Sequence, residues 1–168
     1  MLLKMQNHSK TKTKDFMTNL TKQQTQVKEY FETKDNTKGL LLYGPNGTGK
    51  TTSMSPYLKT MWHGSAIDYA NAVAQNGRNY ITRYTIHDMY IDDLGREPVT
   101  VKSFGDDINV MHDLIHYRYS VFQKTGHKTH ISTNLGFNEL QERYGIAIVD
   151  RIKEMCSIIE FKGESLRA

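Results

Sequence analysis

The segment Leu40-Leu41-Leu42-Tyr43-Gly44-Pro45-Asn46-Gly47-Thr48-Gly49-Lys50-Thr51 decides how the rest of the chain is read. Its first four residues are a continuous apolar run stopped by Gly44-Pro45, the pattern of a strand buried on both faces of a parallel sheet. The next eight have the spacing of a phosphate-binding loop: glycine, four residues, then Gly-Lys-Thr. Glycines let the backbone wrap closely enough for successive N–H groups to point at a phosphate. The helix that follows presents its positive end to the same anion. Lys50 is then placed to reach the β- and γ-phosphates of a nucleotide, and the Thr51 hydroxyl to ligate Mg²⁺, with Thr52 completing the binding set. An incidental glycine turn does not explain an eight-residue match with a strand before it and a helix after it.

A loop of this kind requires a carboxylate from a neighbouring strand to help hold the metal. Met89-Tyr90-Ile91-Asp92-Asp93-Leu94 supplies one, as an apolar strand end followed by two acids. Asp92 fits the metal role, and Asp93 is the candidate to orient or deprotonate an attacking water. His87 and Asp88 make the approach to this strand unusually polar.

Around these two sites the hydrophobic pattern alternates. A helix is expected over 50–62, disturbed at Pro56, and another over 66–75 with Ala70, Val73 and Ala74 inward. Residues 80–91 read as an interrupted strand and 95–105 as a loop. A long helix follows over 107–124, closed by Gly126. Then come a strand over 129–133, helices over 138–144 and 147–155, and a last strand over 157–161. Strands alternating with helices imply an α/β fold of three layers, α/β/α, around a mainly parallel central sheet.

The chain has 168 residues and a net charge of +4, and its hydrophobic residues amount to 38%. One domain fits that length, and neither disorder nor a fibrous class fits that composition. The charge is uneven. Residues 1–38 hold eight lysines against four acids, whereas the remainder is neutral. Residues 1–37 therefore read as a basic, mobile leader or partner-binding arm, and 38–168 as the phosphate-loop domain. Within the leader, Phe16, Leu20, Val27, Tyr30 and Phe31 mark an amphipathic helix. No apolar run is long enough to cross a bilayer, and the lone Cys156 makes no internal disulfide, which fits a cytoplasmic setting. His112 and His116 lie four apart on one helix but lack a third ligand, so no zinc site is expected.

The motifs Tyr90-Ile91-Asp92-Asp93-Leu94-Gly95, His130-Ile131-Ser132-Thr133-Asn134-Leu135, Val149-Asp150-Arg151-Ile152 and Gly163-Glu164-Ser165-Leu166-Arg167 follow the phosphate loop in order. Together they resemble the AAA+ ATPases of the bacterial replicative-helicase loader group and the related ATPase helpers of insertion-sequence transposases, over residues 38–167. The resemblance implies an ATP- and Mg²⁺-dependent hydrolase. Asn134 would be the sensor beside the γ-phosphate, Arg151 the arginine finger reaching a neighbouring subunit's nucleotide, and Arg167 the second sensor. It implies a homo-oligomer, a helicase or transposase partner and contact with DNA, and the small size fits a phage or mobile-element factor. Two alternatives stand beside it: a small P-loop kinase acting on a metabolite, and a nucleotide-gated binding module without hydrolysis.

Overall fold

In the computed structural model, which describes residues 20–33, 35–83, 86–163 and 165, the Leu40–Leu42 run lies on strand β1 (Gly39–Tyr43) and is buried on both faces. Helix α1 (Lys22–Glu32) precedes it. After it come α2 (Lys50–Met54), a 3-10 segment (Ser55–Thr60), β2 (Trp62–Ser65), α3 (Ala66–Asn76), a second 3-10 segment (Arg78–Arg83) and β3 (Met89–Leu94). A hairpin of β4 (Val101–Ser103) and β5 (Asp106–Ile108) leads to α4 (Val110–Thr125), β6 (Thr129–Thr133), α5 (Phe137–Tyr144), α6 (Ile146–Met155) and β7 (Cys156–Glu160). Five strands make one parallel sheet in the order β2-β3-β6-β1-β7.

Side chains alternate across a strand, and the two faces of this sheet accordingly feed two cores. Leu41, Met89, Ile91 and Ile131 pack with the apolar faces of α3, α4, α5 and α6. Leu40, Leu42 and Tyr90 pack with Val27 of α1, Met54 of α2 and Phe161. The three-layer α/β/α expectation therefore holds. Tyr30 and Phe31 of α1 join the second core, so part of the basic segment is built into the fold; Phe16 lies outside the described residues. The helix ends follow local chemistry. Ser65 and Asp68 cap α3 reciprocally, Asn109 accepts from the His112 N–H at the start of α4, and Gly126 closes α4 with φ 75°.

Four expectations are corrected. The helix over 50–62 is only five residues long and continues as the 3-10 segment, because Pro56 has no N–H to donate. Strand β2 begins at Trp62, where that helix was expected to end, and residues 80–91 resolve into a 3-10 segment and β3. The loop expected over 95–105 contains β4 and runs into β5, and α4 starts at Val110, not near 107. The hairpin is anchored by Ser103, whose hydroxyl donates to the Val73 and Ala74 carbonyls at 3.0 Å.

One buried polar residue ties α1 to the sheet. His130, on β6, is 1% exposed, its Nδ1 accepts the Leu40 N–H at 3.2 Å, and the rings of Tyr30 and Phe31 lie against it. Burial lowers its pKa from 6.5 to about 4. The imidazole is neutral when folded, so its contribution to stability is present above pH 6.5 and is lost as pH falls towards 4. The loss amounts to about 3 kcal/mol. Melting temperatures measured from pH 7 to pH 4 should therefore fall. His130→Gln, which has no titrating group there, should fall less steeply; an equal slope in both proteins would assign the effect elsewhere.

Candidate nucleotide site

At the end of β1 the backbone turns on glycine. Gly44 has φ 137° and donates to the Thr133 carbonyl at 3.3 Å, and a Cβ on it would stand 2.1 Å from the Phe161 carbonyl oxygen. Gly47 and Gly49 also occupy positive φ, which side chains disfavour. The loop from Gly44 through Pro45, Asn46 and Thr48 to Thr51 thus wraps over the start of α2. Lys50 is 5% exposed, and its ammonium donates to the Gly44 and Pro45 carbonyls at 2.6 and 2.7 Å. The Thr48 hydroxyl also donates to the Pro45 carbonyl, at 2.9 Å.

The acids come from β3. Its pairing with β6 slips between Ile91 and Leu94, a bulge that coincides with Asp92 and Asp93, and Asp93 has φ 54°. Bulges re-aim side chains, and here the Asp92 carboxylate reaches Thr51 while Asp93 faces the cleft beside the loop. Asp92 Oδ1 accepts from the Thr51 hydroxyl at 3.0 Å, the Tyr90 phenol at 2.7 Å, the Asp93 N–H at 3.1 Å and the Ser132 hydroxyl. Burial and the Asp92 charge push the Tyr90 phenol well above its ordinary pKa, so it remains a donor. Asn134 Nδ2 donates to Asp93 Oδ1 at 3.3 Å, and Arg96 Nη1 pairs with Asp93 Oδ2 at 3.1 Å.

The loop, Asp93, Asn134 and Arg96 border a cleft of about 540 Å³, and Asp92 lies behind Thr51 at its edge without lining it. Asn46, Gly47, Gly49, Lys50, Thr51, Thr52, Asp93 and Asn134, all singled out from sequence, line it together with Gln24 and Arg96. A hydroxyl and a carboxylate held 3.0 Å apart form a hard oxygen set of the type Mg²⁺ takes with phosphates and water. Arg151, on α6, does not line the cleft; its guanidinium lies over the Tyr119 ring at 5.6 Å. Arg167 lies outside the described residues, although Ser165 reaches the loop, 2.1 Å from where a Cβ on Gly47 would sit. Among the described residues no His, Cys, Asp and Glu cluster suits a metal by itself, and no helix is long and apolar enough to cross a membrane. Cys156 is buried, its thiol pushed up to about 12 by burial.

Sequence reasoning missed Arg96, Gln24 and the group that fixes the turn carrying Arg96. Glu97 is 3% exposed and accepts from the Gly95 N–H at 2.9 Å and from the Tyr144 hydroxyl, while Arg143 bonds both its carbonyl and its carboxylate. The signal available was Asp92-Asp93-Leu94-Gly95-Arg96-Glu97 itself, four charges in six residues at a strand end.

The parallel sheet of order β2-β3-β6-β1-β7, with the glycine loop leaving β1 and the acids leaving β3, is similar in fold to several solved structures. The structure of the DnaC helicase loader superposes with a TM-score of 0.59 at 17% identity, over 88% of this chain and 95% of that one. The structure of DnaI gives 0.58 at 17% identity, over 98% and 88%. DnaA from Aquifex aeolicus bound to AMPPCP gives 0.56 at 17% identity, over 82% of this chain and 45% of that one. At these identities the likeness is one of fold, and it lies with helicase loaders and replication initiators; the transposase-helper side of the resemblance remains an expectation. No family model and no curated relative matches the sequence.

The buried Glu97 gives the site a measurable anchor. Removing the carboxylate strips charge-assisted hydrogen bonds from the buried Tyr144 and the partly buried Arg143, a loss of about 1.5–3 kcal/mol. Glu97→Ala should lose that much in urea unfolding, and Glu97→Gln, which retains hydrogen bonding, clearly less.

Proposed function

We propose that this protein binds ATP with Mg²⁺ in the cleft and hydrolyses it, working as an oligomeric, helicase-loader-like factor on DNA-replication machinery. The observation that carries the proposal is the 3.0 Å contact between Thr51 of the phosphate loop and Asp92 of the neighbouring strand end, with Asp93 and Asn134 beside it. Residues 44–52 hold the phosphates, and Thr51 and Asp92 hold Mg²⁺, which neutralises phosphate charge. Asp93 and Asn134 orient the water that attacks the γ-phosphorus. Its proton passes to Asp93 as the bond to the ADP oxygen breaks.

Arg151 acts on the nucleotide of a neighbouring copy. Its position outside its own cleft, with no ion pair among the described residues, supports that role. An arginine supplied in this way stabilises the charge on the transferred phosphoryl group, worth ~10³–10⁵ in rate. Arg167 contacts the nucleotide from the C-terminal side. The basic residues 1–37 contact DNA phosphates or the helicase, and the loader fold is what supports a helicase partner. A phage or mobile-element origin remains part of this reading.

Lys50→Ala should abolish ATP binding while leaving a folded protein, and the wild type should release free phosphate from ATP; a phosphorylated acceptor would mean a kinase. Arg151→Ala should bind ATP normally and hydrolyse it at least 10³-fold more slowly, within the range above. Mixing Arg151→Ala with Lys50→Ala should restore activity, because one interface pairs an intact loop with an intact finger. Co-assembly without recovery would refute the trans role.

A further inference from the structure

Lys50 and Arg96 are the cations among the residues lining the cleft. Lys50 sits inside the loop with its ammonium on two loop carbonyls. Arg96 differs in every respect. Its side chain is 59% exposed, it reaches Asp93 across a turn, and it belongs to no motif of the resemblance. Its backbone, by contrast, is fixed from both sides. The Arg96 N–H donates to the Asp93 carbonyl at 3.1 Å, and the next residue is the buried, fully engaged Glu97. The result is a long cationic arm on a rigid base.

An exposed ion pair of this kind contributes little to stability, so folding does not account for it. The chemistry of the cleft does. A triphosphate entering here brings several negative charges beside Asp92 and Asp93, and a planar guanidinium offers a fork of donors that fits phosphate oxygens. We infer that Arg96 binds the terminal phosphate of a nucleoside triphosphate in its own chain, exchanging Asp93 for phosphate oxygen and leaving the Asp93 carboxylate to the water. The inference rests on the nucleotide reading of the cleft and adds a ligand that acts in cis, distinct from Arg151.

Affinities for the non-hydrolysable triphosphate AMPPCP and for ADP, each with Mg²⁺, test it on the full chain. Arg96→Ala should weaken AMPPCP binding about 10- to 100-fold, the range of a charge-assisted hydrogen bond, and ADP binding less than about 2-fold on the same scale. Arg96→Lys should recover part of the loss, and the melting temperature should not move. Equal losses for both nucleotides, or none for either, would overturn the inference. Binding to the wild type that survives Lys50→Ala unchanged would instead sink the cleft reading itself. Mixing supplies the cis criterion. At an ATP concentration that saturates the wild type but not Arg96→Ala, the mixture of Arg96→Ala with Lys50→Ala should be no more active than Arg96→Ala alone, where Arg151→Ala with Lys50→Ala recovers, and a gain in the first mixture would show that Arg96 acts in trans.

Discussion

One carboxylate oxygen, Asp92 Oδ1, holds the working end of the sheet together. A hydroxyl from α2, a phenol and an N–H from β3, and a hydroxyl from β6 all converge on it. These donors belong to three elements that meet only because the parallel strands keep their carboxyl ends level. Tyr43 of β1 and Leu94 of β3 are both in register with Thr133 of β6. Parallel order places the ligand crevice at this end of an open α/β sheet. The bulge at Asp92 and Asp93 then puts Asp92 on Thr51 and Asp93 on the cleft instead of alternating them between the two cores.

The core that fixes this register is continuous apolar packing on both faces, and it makes the phosphate loop possible. Gly44 must pass beside the Phe161 backbone closely enough that no Cβ fits. That close approach comes from the pairing of β1 with β7, which runs to Tyr43 opposite Glu160. A loop of glycines in an unsupported segment would lose more conformational entropy on ordering than its contacts return. Here the strands before and beside it are already fixed.

The parts legible in the sequence were those with dense local signals. Leu40–Leu42 and residues 44–51 revealed the strand and the loop, and Met89–Leu94 revealed the acidic strand end, because one face or one chemistry repeats over consecutive residues. Asn134 and Arg151 came through resemblance, and the fold puts the first in the cleft and the second outside it. Trp62-His63-Gly64-Ser65 concealed β2, since an edge strand buried on neither side needs no apolar alternation. The β4–β5 hairpin was hidden for a related reason. It is held by Ser103 on two carbonyls of α3, a tertiary contact that no local pattern encodes. Arg96 carried no periodic signal at all; only the folded turn shows that it faces the cleft.

The polar groups of this chain fall into two populations with different energetics. Arg118 is fully buried, and it donates to the Thr129 hydroxyl and the Lys128 carbonyl at 2.9 and 2.8 Å. Glu97 is likewise buried and engaged, and His130 is buried with its acceptor nitrogen occupied. Rearranging any of these exposes an unsatisfied group to a low-dielectric interior, which is expensive. Arg96, Asp93 and Asn134 are joined at 3.1 and 3.3 Å where solvent reaches, so exchanging one partner for another costs little. The first population sets where the turn after β3 sits, through the bonds of Glu97 to Arg143 and Tyr144 of α5, and α5 runs through Gly145 directly into α6 with Arg151. The second is free to follow a ligand. The proposed nucleotide site requires that division: fixed backbone from saturated buried groups, and side chains whose partners are cheap to change.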